Sequence, residues 1–333
     1  VEEGTRVVLR VGPLRLRWVA VHGPCTEGRA FSDEQVEGPF AVWRHTHRMV
    51  AEGSAASWLE DHVDYALPLG RLGDAVAGSH VRGMLERLFA YRHRVTRGDL
   101  AIHQRYGGRP LNVLVSGASG LVGSALVPLL TTGGHRVKRL VRGQAGRDEV
   151  AWDPAADELE TAGLAGLDGV VHLAGENLSG RWTARKKARI RDSRVRGTRL
   201  LARALARLDS PPAVLVCASA VGIYGDRGDE RLDETSDPGQ GFLAEVCRDW
   251  EEAAEPARQA GIRVVHLRIG VVLTPRGGAL GKMLPAFRLG VGGRLGHGRQ
   301  TMSWIALDDL LAVVLLALTS AELEGPVNAV SPN

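Results

Sequence analysis

Cysteine is scarce: Cys25, Cys217 and Cys247 stand far apart in 333 residues. An odd count without close spacing excludes a disulfide framework and a zinc ribbon, and it points to a reduced, cytoplasmic protein. Long apolar runs are missing. The longest, residues 310–318, is far too short to span a bilayer, and no signal peptide opens the chain. Aromatic residues amount to 5%. The one dense basic run, residues 181–199, carries apolar residues at helical spacing with little aromatic interleaving. It reads as a solvated helix face, so neither nucleic acid nor membrane is an expected partner. Lysine is almost absent: only Lys138, Lys186, Lys187 and Lys282 occur, and every other basic residue is arginine. Base composition of the gene explains that bias as readily as function does. An initiating methionine is also lacking, so a segment before Val1 is expected.

What is present suits about two domains by length. Hydrophobic residues make up 44%, and the net charge is a mild +4 with a pI near 9.2. One stretch organises the rest, residues 111–123, LNVLVSGASGLVG. An apolar strand stops at Ser116, glycines follow at 117, 120 and 123, and an apolar run of helical character comes next. This is how a first strand turns into a helix beneath a dinucleotide. Gly117 permits the tight turn, Gly120 lets the backbone approach a pyrophosphate, and Gly123 lets the helix pack closely on the strand. The N–H groups and dipole of the helix start receive phosphate charge. Gly117, Ser119, Gly120, Leu121, Val122 and Gly123 are therefore the expected phosphate-side residues.

Residues 1–66 read as β structure, with strands at 6–11, 14–21, 40–50 and 56–67. Gly12-Pro13 breaks the first two. Leu14, Leu16, Trp18 and Ala20 share one face of the second strand, and Arg15 and Arg17 take the other. His45 and His47 alternate on one strand, with Asp61, His62 and Asp64 on the next. Cross-strand polar pairing is the reading preferred over metal ligation, and no metal is expected. From Asp74 to Val95 the period becomes helical, with Val76, Val81, Met84, Leu85, Leu88, Phe89 and Val95 in one stripe. Residues 106–110 form a linker.

After the linker, strands and helices alternate, which implies a mostly parallel sheet covered on both faces. Expected strands are 111–116, 135–141, 169–173, 213–218 and 262–267. Expected helices are 121–132, 183–208, 242–260 and 280–289, with Pro128 bending the first. The strand at 135–141 ends in Arg142, at the position that meets the adenosine ribose. An acid there would suit a 2′-hydroxyl; arginine suits a 2′-phosphate, so NADP is expected over NAD. Leu173, Ala174 and Gly175 give a small-residue strand end that lets the cofactor pass. Asp308 or Asp309 caps the helix that carries residues 310–318.

The glycine triplet, Arg142, residues 172–175, Ser219 with Tyr224-Gly225, Arg268, and Trp304-Ile305 with Asp308-Asp309 occur in the order found in the extended short-chain dehydrogenase/reductases, and residues 111–333 resemble that superfamily. Trp152-Asp153-Pro154, Gly175-Glu176-Asn177-Leu178, Arg181-Trp182 with Lys187, Ser193-Arg194, and residues 219–226 and 242–250 resemble its atypical "epimerase family protein", or SDR 39U1-like, branch. Asp33-Glu34-Gln35, Gly38-Pro39-Phe40, residues 43–47 and 61–68 resemble the START/polyketide-cyclase-like (SRPBCC) ligand-binding superfamily. Together the resemblances imply an α/β Rossmann doubly wound parallel sheet at 111–333. They imply an incomplete α+β helix-grip domain at 1–105 with an apolar-ligand pocket. A further region after residue 333 is expected. A small-molecule substrate is implied, and many relatives form homodimers.

Members of the superfamily use serine, tyrosine and a lysine in a Tyr-x-x-x-Lys pair for proton transfer while hydride moves to or from the cofactor. Here Tyr224 is the only tyrosine after residue 110, residue 228 is glycine, and no lysine lies between Lys187 and Lys282. The acid/base pair is absent. The remaining catalytic candidates are Ser219, Tyr224 and Glu176. Ser219 is either a substrate hydrogen-bond partner or a strand-end cap; Tyr224 is either an acid or a packed side chain. Glu176 and Asn177 either face the nicotinamide or cap a helix. Lys187 and Arg248 read as surface residues. Leu173, Ala174, Gly175, Ser219 and Arg268 complete the cofactor-side expectation. An NADP-dependent oxidoreductase or epimerase-like enzyme is the first reading, and a non-catalytic NADP-binding regulatory or redox-sensing protein is the second.

Overall fold

A computed structural model describes residues 2–11, 16–54, 56–294 and 296–332. The Gly12-Pro13 turn, Leu14 and Arg15 lie outside the described residues. The chain divides into two compact units, residues 1–96 and 97–333, with the division inside a helix.

In the first unit, β1 (Arg6–Val11), β2 (Leu16–Thr26), β3 (Ala30–Glu37), β4 (Val42–Glu52) and β5 (Ala56–Ala66) form an antiparallel sheet in sequence order. Strand β3 was not foreseen. Its DEQ run is too polar to resemble a strand, yet it pairs with both neighbours. The sheet leads into α1 (Arg71–Tyr106), which runs farther at both ends than the apolar stripe indicated. Phe40, Trp43, Leu67 and Leu85 form the buried cluster, with Trp18, Val63 and Tyr65 packed on it.

The second unit holds β6 (Asn112–Ser116), α2 (Gly123–Thr132), β7 (Arg136–Val141), β8 (Glu149–Asp153), β9 (Glu158–Leu159), β10 (Gly169–His172), α3 (Ala184–Ala206) and β11 (Val214–Ala220). It continues through α4 (Phe242–Glu252), α5 (Glu255–Gln259), β12 (Arg263–Ile269), β13 (Val271–Thr274), α6 (Gly278–Arg288), β14 (Trp304–Ala306), α7 (Leu307–Thr319) and β15 (Gly325–Ala329). The main sheet has the order β15-β12-β11-β10-β6-β7-β8-β9, parallel throughout except for β9 at the edge. Strand alternation explains the two layers of core. Val113 and Val115 face the cluster built with Leu126, Leu130, Leu310 and Val314 of α2 and α7. Leu114 faces the opposite cluster, built with Leu200, Leu201 and Leu205 of α3 and Ala257 of α5.

Three local expectations are corrected. The helix expected over 242–260 is two helices, α4 and α5, parted at Ala253-Ala254, with Pro256 at the start of the second. Proline has no N–H to continue the ladder and is favoured in a first helical turn. Strand β8 was missed because Glu149–Asp153 offers only three apolar residues, although Val150 and Trp152 are buried. Asp308 and Asp309 do not cap α7: its N-cap is Ala306, and both carboxylates lie within the first turn. There they complement the helix dipole without a capping bond.

Candidate functional site

The strand order reverses between β6 and β10, which is where an open α/β sheet leaves a crevice at the carboxyl ends of its strands. Gly117 sits at the end of β6 with φ +67°, and a Cβ there would stand 2.8 Å from the Leu173 carbonyl carbon. Gly120 N donates to Gly117 O at 2.9 Å, closing the turn. A Cβ on Gly123 would meet Gly117 O at 2.2 Å. Two of the three glycines are thus required by contact. No side chain caps α2 at Val122; the Ser124 amide donates to Gly120 O at 2.9 Å and the Ala125 amide to Val122 O at 3.1 Å.

Ser116 ties the two strand ends together. Its Oγ lies 2.7 Å from Nδ1 of His172 and accepts from the amides of Leu173 and Ala174 at 3.0 and 3.2 Å. Complete burial pushes the His172 imidazole down to about 4, so Nδ1 is free to accept the serine proton. One hydroxyl therefore fixes the edge along which Leu173, Ala174 and Gly175 run.

The crevice is a cavity of about 1270 Å³. Gly117, Ser119 and Gly120 line one side, Leu173, Ala174 and Gly175 another, and Arg142 stands at the end of β7. Leu121, Val122 and Gly123 lie in the turn but are not among the lining residues; Leu121 packs instead beside Gly277 and Gly278. Sequence reasoning missed Arg139, Arg189 and Arg196 on this cavity. The run at 181–199 does have a solvated face, but Arg189, Ser193 and Arg196, at i, i+4 and i+7, share one stripe of α3 that borders the crevice. That spacing was the available signal.

Glu176 and Asn177 also line the cavity. The Glu176 carboxylate is 2.7 Å from Lys186 Nζ and 3.4 Å from Arg189. The Lys186 hydrogen bond holds its pKa below the usual carboxylate range, so it is an anion at neutral pH and not a proton donor. Asn177 Oδ1 accepts from the Ser179 amide at 2.7 Å. Lys187 does not reach Glu176; its ammonium sits over the Phe242 ring at 5.1 Å.

Ser219, Tyr224 and Arg268 do not line this cavity. They form a buried network. Ser219 Oγ donates to Glu251 Oε1 at 2.6 Å, and Arg268 grips both oxygens of Glu251 at 3.0 Å. Arg268 also donates to the Tyr224 hydroxyl at 3.0 Å, and that hydroxyl donates to Asn328 Oδ1 at 2.7 Å. Burial alone would lower the Arg268 guanidinium, but Glu251 and Tyr224 hold it above the ordinary arginine range. Glu234 completes the network, its carbonyl accepting from Arg268 at 3.2 Å and its carboxylate from the Asn328 amide at 2.7 Å. Glu251, Glu234 and Asn328 carry no sequence motif that would have announced them.

Comparison with known proteins agrees with this geometry. The NAD dependent epimerase/dehydratase family matches residues 113–329. Epimerase family protein Mb2239 of Mycobacterium bovis is 46% identical over 222 residues, 66% of this chain and 73% of the relative. The crystal structure of the nucleoside-diphosphate sugar epimerase from Corynebacterium glutamicum superposes with a TM-score of 0.82 at 39% identity, covering 98% of this chain and 68% of that one. Human epimerase family protein SDR39U1 (isoform 2), solved with NADPH, superposes with a TM-score of 0.62 at 36% identity, covering 67% of this chain and 75% of that one. The chain belongs to the NAD dependent epimerase/dehydratase family.

Proposed function

We propose that residues 97–333 bind NADP and act as a reductase or epimerase-like enzyme on a small carbonyl or hydroxyl substrate. One observation carries the reading: the glycine-floored crevice has Arg142 where an NAD site would have an acid, with Arg189 and Arg196 on the same cavity. The Arg142 guanidinium suits a 2′-phosphate, which it can hold with paired hydrogen bonds, whereas Arg189 and Arg196 stand 3.4 Å from Glu176 and 3.8 Å from Asp192. The human relative solved with NADPH supports the same choice. When bound, the nicotinamide would supply hydride exchange. The chain's own part is to orient it along Leu173, Ala174 and Gly175 and to offer Glu176 and Asn177 at the edge.

The test is a fluorescence titration with NADPH and NADH. NADPH should bind at least tenfold more tightly, and Arg142→Ala should remove most of that preference while leaving NADH unchanged. Equal affinity for both cofactors would overturn the assignment. A second reading, an NADP-binding regulatory or redox-sensing protein, is favoured by the engagement of Ser219 and Tyr224 in a buried network and by the missing Tyr-x-x-x-Lys pair. Tyr224→Phe separates the two: loss of turnover with unchanged NADPH affinity supports catalysis.

For the first unit, a START-like role in holding an apolar ligand is supported by five antiparallel strands followed by a long helix and by the aromatic cluster around Trp43. A cytoplasmic location and a homodimer complete the proposal; among the described residues no helix is long and apolar enough to cross a membrane.

A further inference from the structure

The first unit gathers ionisable side chains on the sheet face that carries its apolar cluster. On β4, Trp43, His45 and His47 are buried at alternate positions and so share a face. Asp33 is paired with His45 across β3, and Asp61 with His47 across β5. His62 and Asp64 point to the other side, bonded to each other and exposed. The polar pairing of the two strands therefore separates into an outer pair and an inner cluster, which Asp33 and His93 join from elements the sequence reading did not connect.

The orientation of the two imidazoles is informative. Nε2 of His45 and Nδ1 of His47 both face Asp61 Oδ1, at 2.9 and 2.8 Å. Asp61 is almost wholly buried and also accepts from His93 at 2.8 Å. With those nitrogens turned to Asp61, the opposite ones, Nδ1 of His45 and Nε2 of His47, face Asp33 Oδ2 at 3.5 and 3.4 Å. These separations are too long for hydrogen bonds. His45 donates from Nε2 to Asp61, so its Nδ1 presents a lone pair to the Asp33 carboxylate, an arrangement that repels unless a cation lies between. Two atoms on a tetrahedral zinc, each about 2.0–2.1 Å from it, stand about 3.3–3.4 Å apart. Asp33, His45 and His47 offer ligand atoms that all lie within 4.8 Å of one another. Arg92 donates to Nδ1 of His47 at 3.2 Å, so a metal ion at Nε2 would shift that ring's proton to Nδ1, where Asp61 Oδ1 stands 2.8 Å away.

We propose that Asp33, His45 and His47 bind one divalent transition-metal ion, with Asp61 as the partner that orients both imidazoles. Two imidazoles and a carboxylate suit zinc or a similar ion over magnesium or calcium, which prefer all-oxygen shells. A carboxylate behind a ligating histidine fixes its tautomer and raises its basicity, and here one carboxylate serves both. Three protein ligands leave a fourth tetrahedral position for water or for an oxygen of a bound molecule.

The experiment uses the full chain, stripped with a chelator and dialysed. Zn²⁺ is titrated at pH 7.5 against a chromophoric chelator, Co²⁺ is followed by its visible spectrum, and Mg²⁺ serves as the control. One equivalent of Zn²⁺ and the intense d–d bands of tetrahedral Co²⁺ are expected, with no Mg²⁺ binding. His47→Ala should weaken Zn²⁺ at least 100-fold, and Asp33→Asn and Asp61→Asn should weaken it 10- to 100-fold. His62→Ala, outside the cluster, should leave it unchanged. Circular dichroism establishes that each variant is folded, and Asp33→Asn keeps the side-chain shape if His47→Ala does not fold. Substoichiometric binding by the unaltered chain, or binding that survives both Asp33→Asn and His47→Ala, would overturn the proposal.

Discussion

Gly123 shows how much a single hydrogen can decide. A methyl group there would drive into Gly117 O at 2.2 Å and Ala118 Cα at 2.7 Å, both backbone atoms that cannot turn aside. Gly123→Ala should therefore destabilise the protein by about 1–3 kcal/mol and lower NADPH affinity at least tenfold. Urea unfolding and the cofactor titration measure the two effects. The Arg268–Glu251 pair makes a sharper case. Its side chains are 8% and 14% exposed, and it also holds Ser219 and Tyr224. Removing one partner leaves the other charged group buried without compensation, so Arg268→Met should cost about 3–5 kcal/mol in the same urea experiment. A loss below 1 kcal/mol would mean that water reaches Glu251 in solution.

Elements differ in how fully their sequence announced them. Strand β6 and α2 were legible because an apolar run, a glycine turn and a helical run are all local. Helix α3 was legible too: Thr183 Oγ1 accepts from the Lys186 amide as its N-cap. Strands β3 and β8 were not, since both are short on apolar residues and hold their place by pairing with neighbouring strands. Helix α7 illustrates the energetic side. Seven of its residues are buried, Leu310 and Val314 completely, in the core shared with α2. Leu310→Ala should cost about 2–5 kcal/mol by transfer and cavity effects. Leu289, just past α6, is 78% exposed, and Leu289→Ala should stay within about 0.5 kcal/mol. Thermal and urea denaturation of the two variants side by side checks the contrast.

At the scale of the whole molecule, buried histidines set an acid limit. His172 and His266 are both pushed down to about 4, chiefly by burial. An unfolded chain binds protons at these positions below about pH 6.5, while the folded one resists until about 4. The sign follows: their contribution is fully present above the unfolded value and is lost as pH falls from about 6.5 towards 4. The loss is on the order of 3 kcal/mol for each. Urea midpoints measured from pH 8 to pH 4 should be level at first and then fall. His172→Gln should soften the fall if its own cost at pH 8 is subtracted.

The amino-acid sequence by itself determined the glycine turn between β6 and α2, the alternation of strands and helices after residue 110, the arginine that follows β7 and the β-then-helix order of the first unit. Each rests on spacing over a few residues, where backbone sterics and the periods of strand and helix act directly. Only the tertiary structure decided what surrounds the polar candidates. Tyr224 meets Asn328 across 104 positions, and Ser219 meets Glu251 across 32. His45 and Asp61 were already legible as neighbours on adjacent strands, but Asp33 joins them only because β3 lies in register with β4. No local pattern encodes such meetings. They follow from strand order and helix packing, which bring distant side chains into one low-dielectric space where each must find a partner.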